Sequence, residues 1–249
     1  MKPRLSIIIA TLNAERVLAR CLASIAQQTN KSWEIVLIDG GSTDATIEII
    51  KRHASLLTYW HSAPDAGIYD AWNTGLAHAR GEYVCFLGAD DCFANEHAIA
   101  KLLDAVGEVK YDLVSSRGQL VDTAGKGLGH SGGAWNYQAL GRRMPLCHPG
   151  LLHQRELFNR FGPFDITYRI TGDLDFLLRL PPDIRALHVE QTTVLVENAG
   201  VSRRQILRRL REQRTALARC PRFGVVRAYL VWLNKLWRYP IARVFRLSF

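Results

Sequence analysis

The sequence predicts an α/β fold with a mostly parallel sheet flanked by helices. Short apolar runs alternate with segments of helical spacing over the first half of the chain. Polar clusters follow these runs at residues 11–13, 39–44 and 88–91. The chain has 249 residues, 48% of them hydrophobic, which is enough for a large buried core. Parallel strands joined by helices gather such clusters at one edge of the sheet.

The first two strands are each followed by a helix. Residues 5–10 form an isoleucine-rich run, and apolar residues between 17 and 25 recur at helical spacing. The unit repeats with a strand at 34–38, a turn rich in N-cap residues at 39–44, and a helix at 47–53. The spacing predicts two consecutive parallel crossovers.

The alternation continues to residue 115 and then loosens. We predict, in order, a strand at 56–60, a helix at 68–79, a strand at 83–87, a helix at 98–106 and a strand at 111–115. Residues 125–133 contain five glycines and predict a mobile loop. Helices at 154–161 and 173–180 and strands around 186–196 complete the predicted domain.

All the excess positive charge lies in the last fifth of the chain. Residues 200–249 contain 13 Lys or Arg and one Asp or Glu. Residues 1–199 contain 19 Lys or Arg and 22 Asp or Glu. Apolar positions recur at helical spacing between these arginines, which predicts a basic amphipathic tail at 203–249. An anionic membrane surface would suit this tail. The alternative is helices packed on the domain with a solvated basic face.

Other partners and compartments follow from what the sequence lacks. No nucleic-acid-binding motif accompanies the basic charge, so we expect no nucleic acid partner. Five cysteines without a CxxC pair indicate reduced thiols. The apolar run at 5–10 is too short for a signal peptide, and the stretch at 225–237 is interrupted by charges. We expect a cytoplasmic protein, peripheral on the inner face of the cell membrane.

Two adjacent carboxylates, Asp90 and Asp91, follow the apolar run at 83–87. Ligands of open α/β sheets bind at the carboxyl ends of strands. Neighbouring carboxylates repel each other, and a pair that stays ionised suits Mg²⁺ or Mn²⁺ on the phosphates of a substrate. The alternative is a solvated pair that closes the strand or caps the next helix. The pair therefore predicts phosphate chemistry.

Four motifs, taken in order, resemble those of the family 2 glycosyltransferases. They occupy residues 6–13, 35–44, 65–75 and 86–91. These are inverting enzymes of GT-A fold that transfer a sugar from a nucleotide donor, and the third motif is similar to that of members building bacterial surface or exported polysaccharides. The resemblance implies a GT-A domain over 1–202, with a nucleotide-sugar-binding half at 1–115 and an acceptor-binding half at 116–202.

The resemblance assigns the donor site to the strand ends. It makes Asp91 the metal ligand and Asp90 a ribose or water-mediated contact, because Ala89 stands where the family often has the first Asp of Asp-x-Asp. It assigns to Asp39 a contact with the nucleotide base, and to Thr11 and Asn13 contacts with the nucleotide base and the ribose. Gly41 belongs to the same nucleotide-sugar-binding turn. A tight turn into a helix N-terminus is the alternative for the segment around Asp39.

An inverting transfer needs one base, and the segment 171–180 offers Asp173 and Asp175. Side chains two positions apart on a helix point about 200° away from each other, so only one can face the acceptor. Asp175 stands four residues before Arg179, which suits an ion pair. Asp173 resembles the acidic base of the family, and an N-cap is its alternative.

Three further residues are candidates, and two of them, His148 and Arg80, have a structural alternative. His148 would contact the acceptor or close the metal site, or would be a hydrogen-bonded structural histidine. Asn73 and Arg80 flank the helix before the carboxylate pair, and both are assigned to the nucleotide-sugar site. Arg80 would reach the diphosphate, and an exposed arginine at a helix end is its alternative.

Together these features predict a metal-dependent inverting glycosyltransferase. Its expected partners are Mn²⁺ or Mg²⁺, a nucleoside-diphosphate sugar with a UDP-sugar favoured, and a lipid-linked or glycan acceptor of surface polysaccharide assembly. One alternative is a sugar-nucleotide pyrophosphorylase, which should carry a glycine-rich, arginine-containing loop where this chain has residues 11–15. Another is a non-catalytic module that binds nucleotide-sugars or nucleic acid.

Overall fold

The fold is that of a computed structural model describing residues 2–198 and 200–245. Within this range, the side chains of Val201 and of residues 238–245 are outside the description. The predicted tail at 203–249 extends beyond the described residues by its last four positions.

The first half of the chain forms a parallel sheet with alternating helices. Its elements are β1 Leu5–Thr11, α1 Leu18–Ala26, β2 Trp33–Asp39, α2 Thr46–Arg52, β3 Tyr59–Ser62, α3 Ile68–His78 and β4 Tyr83–Gly88. The four strands lie in the order β3-β2-β1-β4, all parallel. This order confirms the predicted α/β class with successive parallel crossovers.

The second half extends the same sheet with mixed strand directions. Its elements are β5 Cys92–Phe93, α4 Ala98–Val106, β6 Leu113–Val121, β7 Gly127–Ser131, α5 Tyr137–Leu140, β8 Leu152–Gln154, α6 Glu156–Phe161, α7 Gly172–Arg179 and β9 Ala186–Glu197. Strand β8 runs antiparallel to β4 and β6, β6 and β9 are parallel, and β5 closes the far edge against β9.

Burial of both faces explains why the central strands are apolar throughout. Ile7 and Ile9 of β1 pack on one side of the sheet, where α1 and α4 contribute the other half of the core. Ile8 packs on the opposite side. On that side a methyl group on Gly75 of α3 would come within 2.5 Å of the Ile8 side chain. Helix α3 therefore lies directly on the sheet, as expected of a parallel sheet covered on both faces.

Several elements differ from the sequence-based expectations: β5 and β8 have no predicted counterpart, and the differences at the third strand and at residues 125–133 have physical reasons. The third strand begins three residues later than predicted, because a 3-10 turn at Ala54–Leu56 carries the chain past the end of α2 first. The glycine-rich segment 125–133, predicted as a mobile loop, contains β7, which pairs antiparallel with β6. Pairing of backbone groups forms this hairpin, so its largely exposed side chains left no hydrophobic pattern in the sequence.

The C-terminal helices are α8 Val201–Arg204, α9 Ile206–Arg219 and α10 Gly224–Phe245. Leu217 of α9 and Phe223 before α10 are buried in the same core cluster as Phe86 of β4. The predicted boundary at 202/203 therefore does not divide two cores. Among the described residues, no helix combines the length and apolarity needed to cross a membrane.

Candidate active site

The register of the parallel strands brings the first two polar clusters together. Thr11 pairs with Asp39 across β1 and β2, and the Gly40 amide donates to the Thr11 carbonyl at 2.9 Å. Asn13, with a φ of 49°, accepts from the Thr43 amide at 2.9 Å through its side-chain oxygen. Residues 11–13 and 39–44 therefore form one continuous surface at the carboxyl edge of the sheet.

Asp39 is fully buried and organises this surface. Its carboxylate accepts hydrogen bonds from the amides of Gly41 at 3.0 Å and Ser42 at 2.9 Å. It also accepts from the hydroxyls of Ser42 and Ser62. A carboxylate offers about four lone-pair sites, so these four donors use its capacity. In this structure Asp39 shapes the turn, in which Gly41 adopts a φ of 85°.

Thr11 leaves a polar atom free at the same edge. Its hydroxyl is buried and has no hydrogen-bond partner among the described residues. Buried polar atoms are usually paired, so an unpaired one calls for a partner such as water, an ion or a ligand. The Thr11 hydroxyl is therefore available to a ligand that enters between the two loops.

Strand β4 delivers the carboxylate pair beside these loops, because it is the other neighbour of β1 in the sheet. Asp91 accepts from the Gly88 amide at 2.9 Å. A methyl group on Gly88 would lie 2.6 Å from a carboxylate oxygen of Asp90 and 3.2 Å from one of Asp91. The two carboxylates therefore converge at Gly88, which leaves the room that they need.

The electrostatics of this pair are those of a cation site. Burial, followed by the charge of Asp90, raises the pKa of Asp91 to about 8, and burial also raises the pKa of Asp90. Neither carboxylate forms an ion pair with a basic side chain of the described residues. Buried carboxylates without a cationic partner fit a divalent ion.

The protein supplies only part of a coordination shell here. The described residues contain no group of three or more His, Cys, Asp or Glu side chains that could hold a metal. Asp91, with Asp90 beside it, would be the protein's contribution, and oxygens of substrate phosphates or water would complete the shell. This is how Mg²⁺ is commonly held in phosphate chemistry. The residues present therefore fit the predicted Mg²⁺ or Mn²⁺.

Asp173 lies in the first turn of α7, and Thr171 is the N-cap of this helix, so Asp173 is not the cap itself. One carboxylate oxygen accepts from the Leu174 amide at 2.8 Å and from the Tyr69 hydroxyl at 3.3 Å. Burial raises the pKa of Asp173 to about 6. Asp175 instead pairs with Arg179 at 3.3 Å. A carboxylate with a pKa close to the working pH suits proton abstraction.

An aromatic layer connects Asp173 to the carboxylate pair. Tyr69, which contacts Asp173, packs edge-on against Trp72 with ring centroids 5.4 Å apart. Trp72 packs against Phe86 at 4.9 Å, and Phe86 lies two residues before Gly88 on β4. A chain of direct contacts therefore leads from Asp173 to Phe86 of β4, the strand that ends just before the carboxylate pair.

His148 belongs to this layer. Its ring stacks on Trp72 with centroids 5.3 Å apart, and its Nε2 atom has no hydrogen-bond partner among the described residues. Burial lowers the pKa of His148 to about 3, so the ring is neutral. In a neutral imidazole one ring nitrogen donates a hydrogen bond and the other accepts one, and the ring carries no positive charge.

Two predicted residues have structural contacts elsewhere. The amide group of Asn73 donates to and accepts from the backbone of Phe164 at 2.9 and 3.0 Å. Arg80 pairs at 3.0 Å with Glu34, near the start of β2 and thus at the opposite edge of the sheet from residues 39–44. The structure does not bring Arg80 together with the other candidates, and we leave it out of the proposed site.

Sequence reasoning missed several residues of the site. Tyr69 lies inside the third motif, where its apolar spacing concealed its contact with Asp173. Gly172 permits that contact, since a methyl group there would lie 2.9 Å from the Tyr69 ring. Arg20 of α1 donates to the Asp90 carbonyl at 3.1 Å and to Glu197 at 2.8 Å. No sequence signal distinguishes Arg20 from an ordinary exposed arginine.

A largely parallel first half of the sheet, with a carboxylate pair beside the loops at 11–13 and 39–44, is the arrangement expected of the GT-A glycosyltransferases. The chain belongs to glycosyl transferase family 2, whose family profile matches residues 6–163. Family membership confirms the resemblance seen in the motifs. It also decides between the two enzyme classes in favour of a glycosyltransferase.

Curated relatives and solved structures agree with this assignment. A "PGL/p-HBAD biosynthesis glycosyltransferase" of Mycobacterium tuberculosis is 39% identical over 181 residues, covering 71% of this chain and 69% of the relative. The fold is similar to that of S. aureus TarS in complex with UDP-GlcNAc, with a TM-score of 0.67 and 18% identity. The match covers 95% of this chain and 72% of the TarS chain. It is also similar to the mannosyltransferase PcManGT of Pyrobaculum calidifontis with GDP-Man and Mn²⁺. The TM-score is 0.69 and the identity 22%, and the match covers 98% of this chain and 74% of that structure.

Proposed function

We propose that this chain is a metal-dependent inverting glycosyltransferase that uses a nucleoside-diphosphate sugar, with a UDP-sugar favoured. Its acceptor is a lipid-linked or glycan molecule of cell-surface glycan biosynthesis. The observation that carries the proposal is the half-buried Asp173, whose contacts lead through Tyr69 and Trp72 to Phe86 of β4, the strand that ends just before the carboxylate pair. The mycobacterial relative named for PGL/p-HBAD biosynthesis supports the kind of acceptor. The two solved neighbours support the kind of donor.

Asp173 is the proposed catalytic base. In an inverting transfer the acceptor hydroxyl attacks the anomeric carbon, the bond to the diphosphate breaks, and a carboxylate takes the hydroxyl proton. The Tyr69 hydroxyl holds one oxygen of Asp173, and the other oxygen is free to accept this proton. His148 is proposed on the acceptor side, where its unpaired Nε2 would exchange a hydrogen bond with a hydroxyl group.

The donor is proposed to lie across the two loops and the carboxylate pair. Thr11 and Asn13 would contact base and ribose, with the turn around Asp39 and Gly41 as the floor. Asp91 would hold Mn²⁺ or Mg²⁺ with Asp90 beside it, and the ion would offset the charge that develops on the leaving diphosphate. Asn73 would act indirectly, by fixing the backbone at Phe164 beside Tyr69 and Trp72.

A thermal-shift panel tests the donor class. UDP-, GDP- and dTDP-sugars are each added with and without Mn²⁺, because a ligand that binds only the folded state raises the melting temperature by mass action. We expect one nucleotide class, UDP, to stabilise the protein in the presence of Mn²⁺. Asp91→Asn should abolish this dependence, whereas the matched control Asp183→Asn, at an exposed position, should keep it. No stabilisation by any donor would contradict the proposal.

We also propose that the C-terminal helices rest on an anionic membrane, on the inner face of the cell membrane. Helix α10 exposes an apolar stripe of Val226, Leu230, Leu233 and Trp237, with exposures of 76, 63, 52 and 72%. An exposed apolar stripe beside a strongly basic helix suits a membrane interface. Each basic side chain near an anionic lipid surface adds about 1 kcal/mol.

Surface substitutions test membrane binding better than truncation would, because α9 contributes buried residues to the core. We expect Val226→Ser, Leu230→Ser and Leu233→Ser together to abolish sedimentation with phosphatidylglycerol vesicles. A matched triple variant replaces Val109, Leu128 and Ile166, exposed by 42, 51 and 46%, and should still bind. Equal binding by both variants would contradict the proposal, as would equal binding to neutral vesicles.

A further inference from the structure

Glu212 of α9 contacts the loop that leads into α7. Its carboxylate accepts hydrogen bonds from three consecutive backbone amides, those of Arg169 at 3.2 Å, Ile170 at 2.8 Å and Thr171 at 3.1 Å. It also accepts from the Arg208 side chain at 3.0 Å, one turn earlier on α9. The side chain is only 13% exposed. Glu212 therefore satisfies backbone groups that the loop itself leaves without acceptors.

The composition of the tail makes this contact unusual. Glu212 is the single acidic residue among the last fifty, which contain 13 basic residues. An ordinary ion pair with Arg208 would need no particular place in such a segment. Three backbone amides pointing at one carboxylate do require this position, because amide donors bind a charged acceptor more strongly than a neutral one. The contact joins the tail to the domain at one defined site.

The loop at 169–171 is fixed on several sides. Thr171 is the N-cap of α7, and its side chain makes no capping bond, so Glu212 is the acceptor for the amides just before the helix. The Arg169 guanidinium lies against Gly67 at the start of α3. Asp173 follows two residues after the loop. A displacement of the loop would therefore move Asp173 relative to the Tyr69 hydroxyl.

We propose that Glu212 is a positioning residue, which fixes the loop at 169–171 and thereby holds Asp173 in place for proton transfer. The inference rests on the role proposed for Asp173. It assigns the basic tail a second task besides the membrane, because the helix that carries Glu212 packs directly on α7. Misplacing a reacting group by about 1 Å can reduce the rate by about 10²-fold.

Glu212 also acts on Asp173 through its charge. The groups that face Asp173 are the Tyr69 hydroxyl from α3 and the Glu212 carboxylate from α9. Burial is the main cause of the raised pKa of Asp173, and the negative charge of Glu212 acts in the same direction. Removing that charge should therefore lower the pKa of Asp173.

Two variants and one control test the proposal by kinetics. Glu212→Gln keeps one acceptor oxygen and removes the charge, and Glu212→Ala removes both. Glu190→Gln makes the same charge change at a side chain that is 68% exposed. With a UDP-sugar and Mn²⁺, we expect Glu212→Ala to lower kcat at least tenfold with little change in the donor KM. Glu212→Gln should shift the acidic limb of the pH profile to lower pH, and Glu190→Gln should change neither.

A direct titration separates failure of this inference from failure of the proposed function. The Asp carboxyl carbons are labelled with ¹³C, and Asp173→Asn identifies the Asp173 signal in the full chain without any substrate. We expect its titration midpoint to be lower in Glu212→Gln than in the wild type. Equal midpoints together with wild-type kcat in Glu212→Ala would overturn the inference. An active Asp173→Asn with a shifted midpoint in Glu212→Gln would instead overturn the catalytic role of Asp173, and with it the part of Glu212 in proton transfer, while its electrostatic contact with Asp173 would stand.

Discussion

Asp173 illustrates how one half-buried carboxyl links acid–base chemistry to stability. Its pKa is raised from 3.8 to about 6, chiefly by burial. The folded state therefore binds the proton more tightly than the unfolded state does, and the resulting stability is present at low pH. It is lost as the pH rises through about 6, where the carboxyl ionises inside the protein. A base that is poorly solvated when ionised is reactive for the same reason.

Replacing this carboxyl should stabilise the protein where the wild type is ionised. Asp173→Asn keeps the size of the side chain and cannot ionise. Relative to the wild type, its free energy of unfolding should rise by up to about 3 kcal/mol between pH 4 and pH 8. Urea unfolding at both pH values measures the difference. A difference that is independent of pH would show that Asp173 titrates normally. Transfer activity should fall to background in the same variant.

Asp39 predicts a different outcome at the residue scale. Asn at this position keeps one acceptor oxygen for the four donors that now contact the carboxylate. Leaving a buried donor unsatisfied costs about 1 to 3 kcal/mol, so Asp39→Asn should lower the free energy of unfolding by that amount. Calorimetry with UDP measures binding separately. Unchanged UDP affinity would limit Asp39 to the turn, and unchanged stability would contradict the hydrogen-bond assignment.

At the same scale, the sequence predicted the groups at strand ends better than their partners. Asp90 and Asp91 were recognisable because a charged pair that directly follows a buried apolar strand must lie at the carboxyl edge of the sheet. The contact of Tyr69 with Asp173 joins residues 104 positions apart. The contact of Glu212 with Thr171 joins two separate helical elements. Neither local periodicity nor a motif specifies such contacts.

At the scale of elements, predictability followed the hydrophobic pattern. Strands β1, β2 and β4 are buried along nearly their whole length, and their apolar runs marked them. Strands β5 and β8 have only two and three residues, too few to show a period. Strand β7 is exposed and was predicted as a loop. Short or exposed strands are specified by backbone pairing with partners distant in the sequence, which a pattern search cannot detect.

The contact between α3 and β1 gives a prediction for an element. A methyl group on Gly75 would lie 2.5 Å from the Ile8 side chain in a core without free space. Gly75→Ala should therefore destabilise the protein by about 1 to 3 kcal/mol, despite the better helix propensity of alanine. Urea unfolding compares it with Gly133→Ala, where the nearest atom is 3.6 Å away. Equal stability of the two variants would show that α3 can shift away from the sheet.

For the whole molecule, the separation of charge is the organising feature. Residues 1–199 carry a net charge of −3, from 19 basic and 22 acidic residues, and the remainder carries +12, from 13 and 1. The acidic part contains the candidate donor site, and the basic part contains the exposed stripe of α10. Glu212 connects the two.

The most direct test of the central claim is calorimetric titration of a UDP-sugar into three proteins with and without Mn²⁺. Donor and metal are proposed to bind at the carboxylate pair, and proton transfer is proposed to occur at Asp173. We therefore expect Mn²⁺-dependent binding to the wild type, the same binding to Asp173→Asn, and none to Asp91→Asn. Undiminished binding to Asp91→Asn, or its loss in Asp173→Asn, would contradict this division of roles.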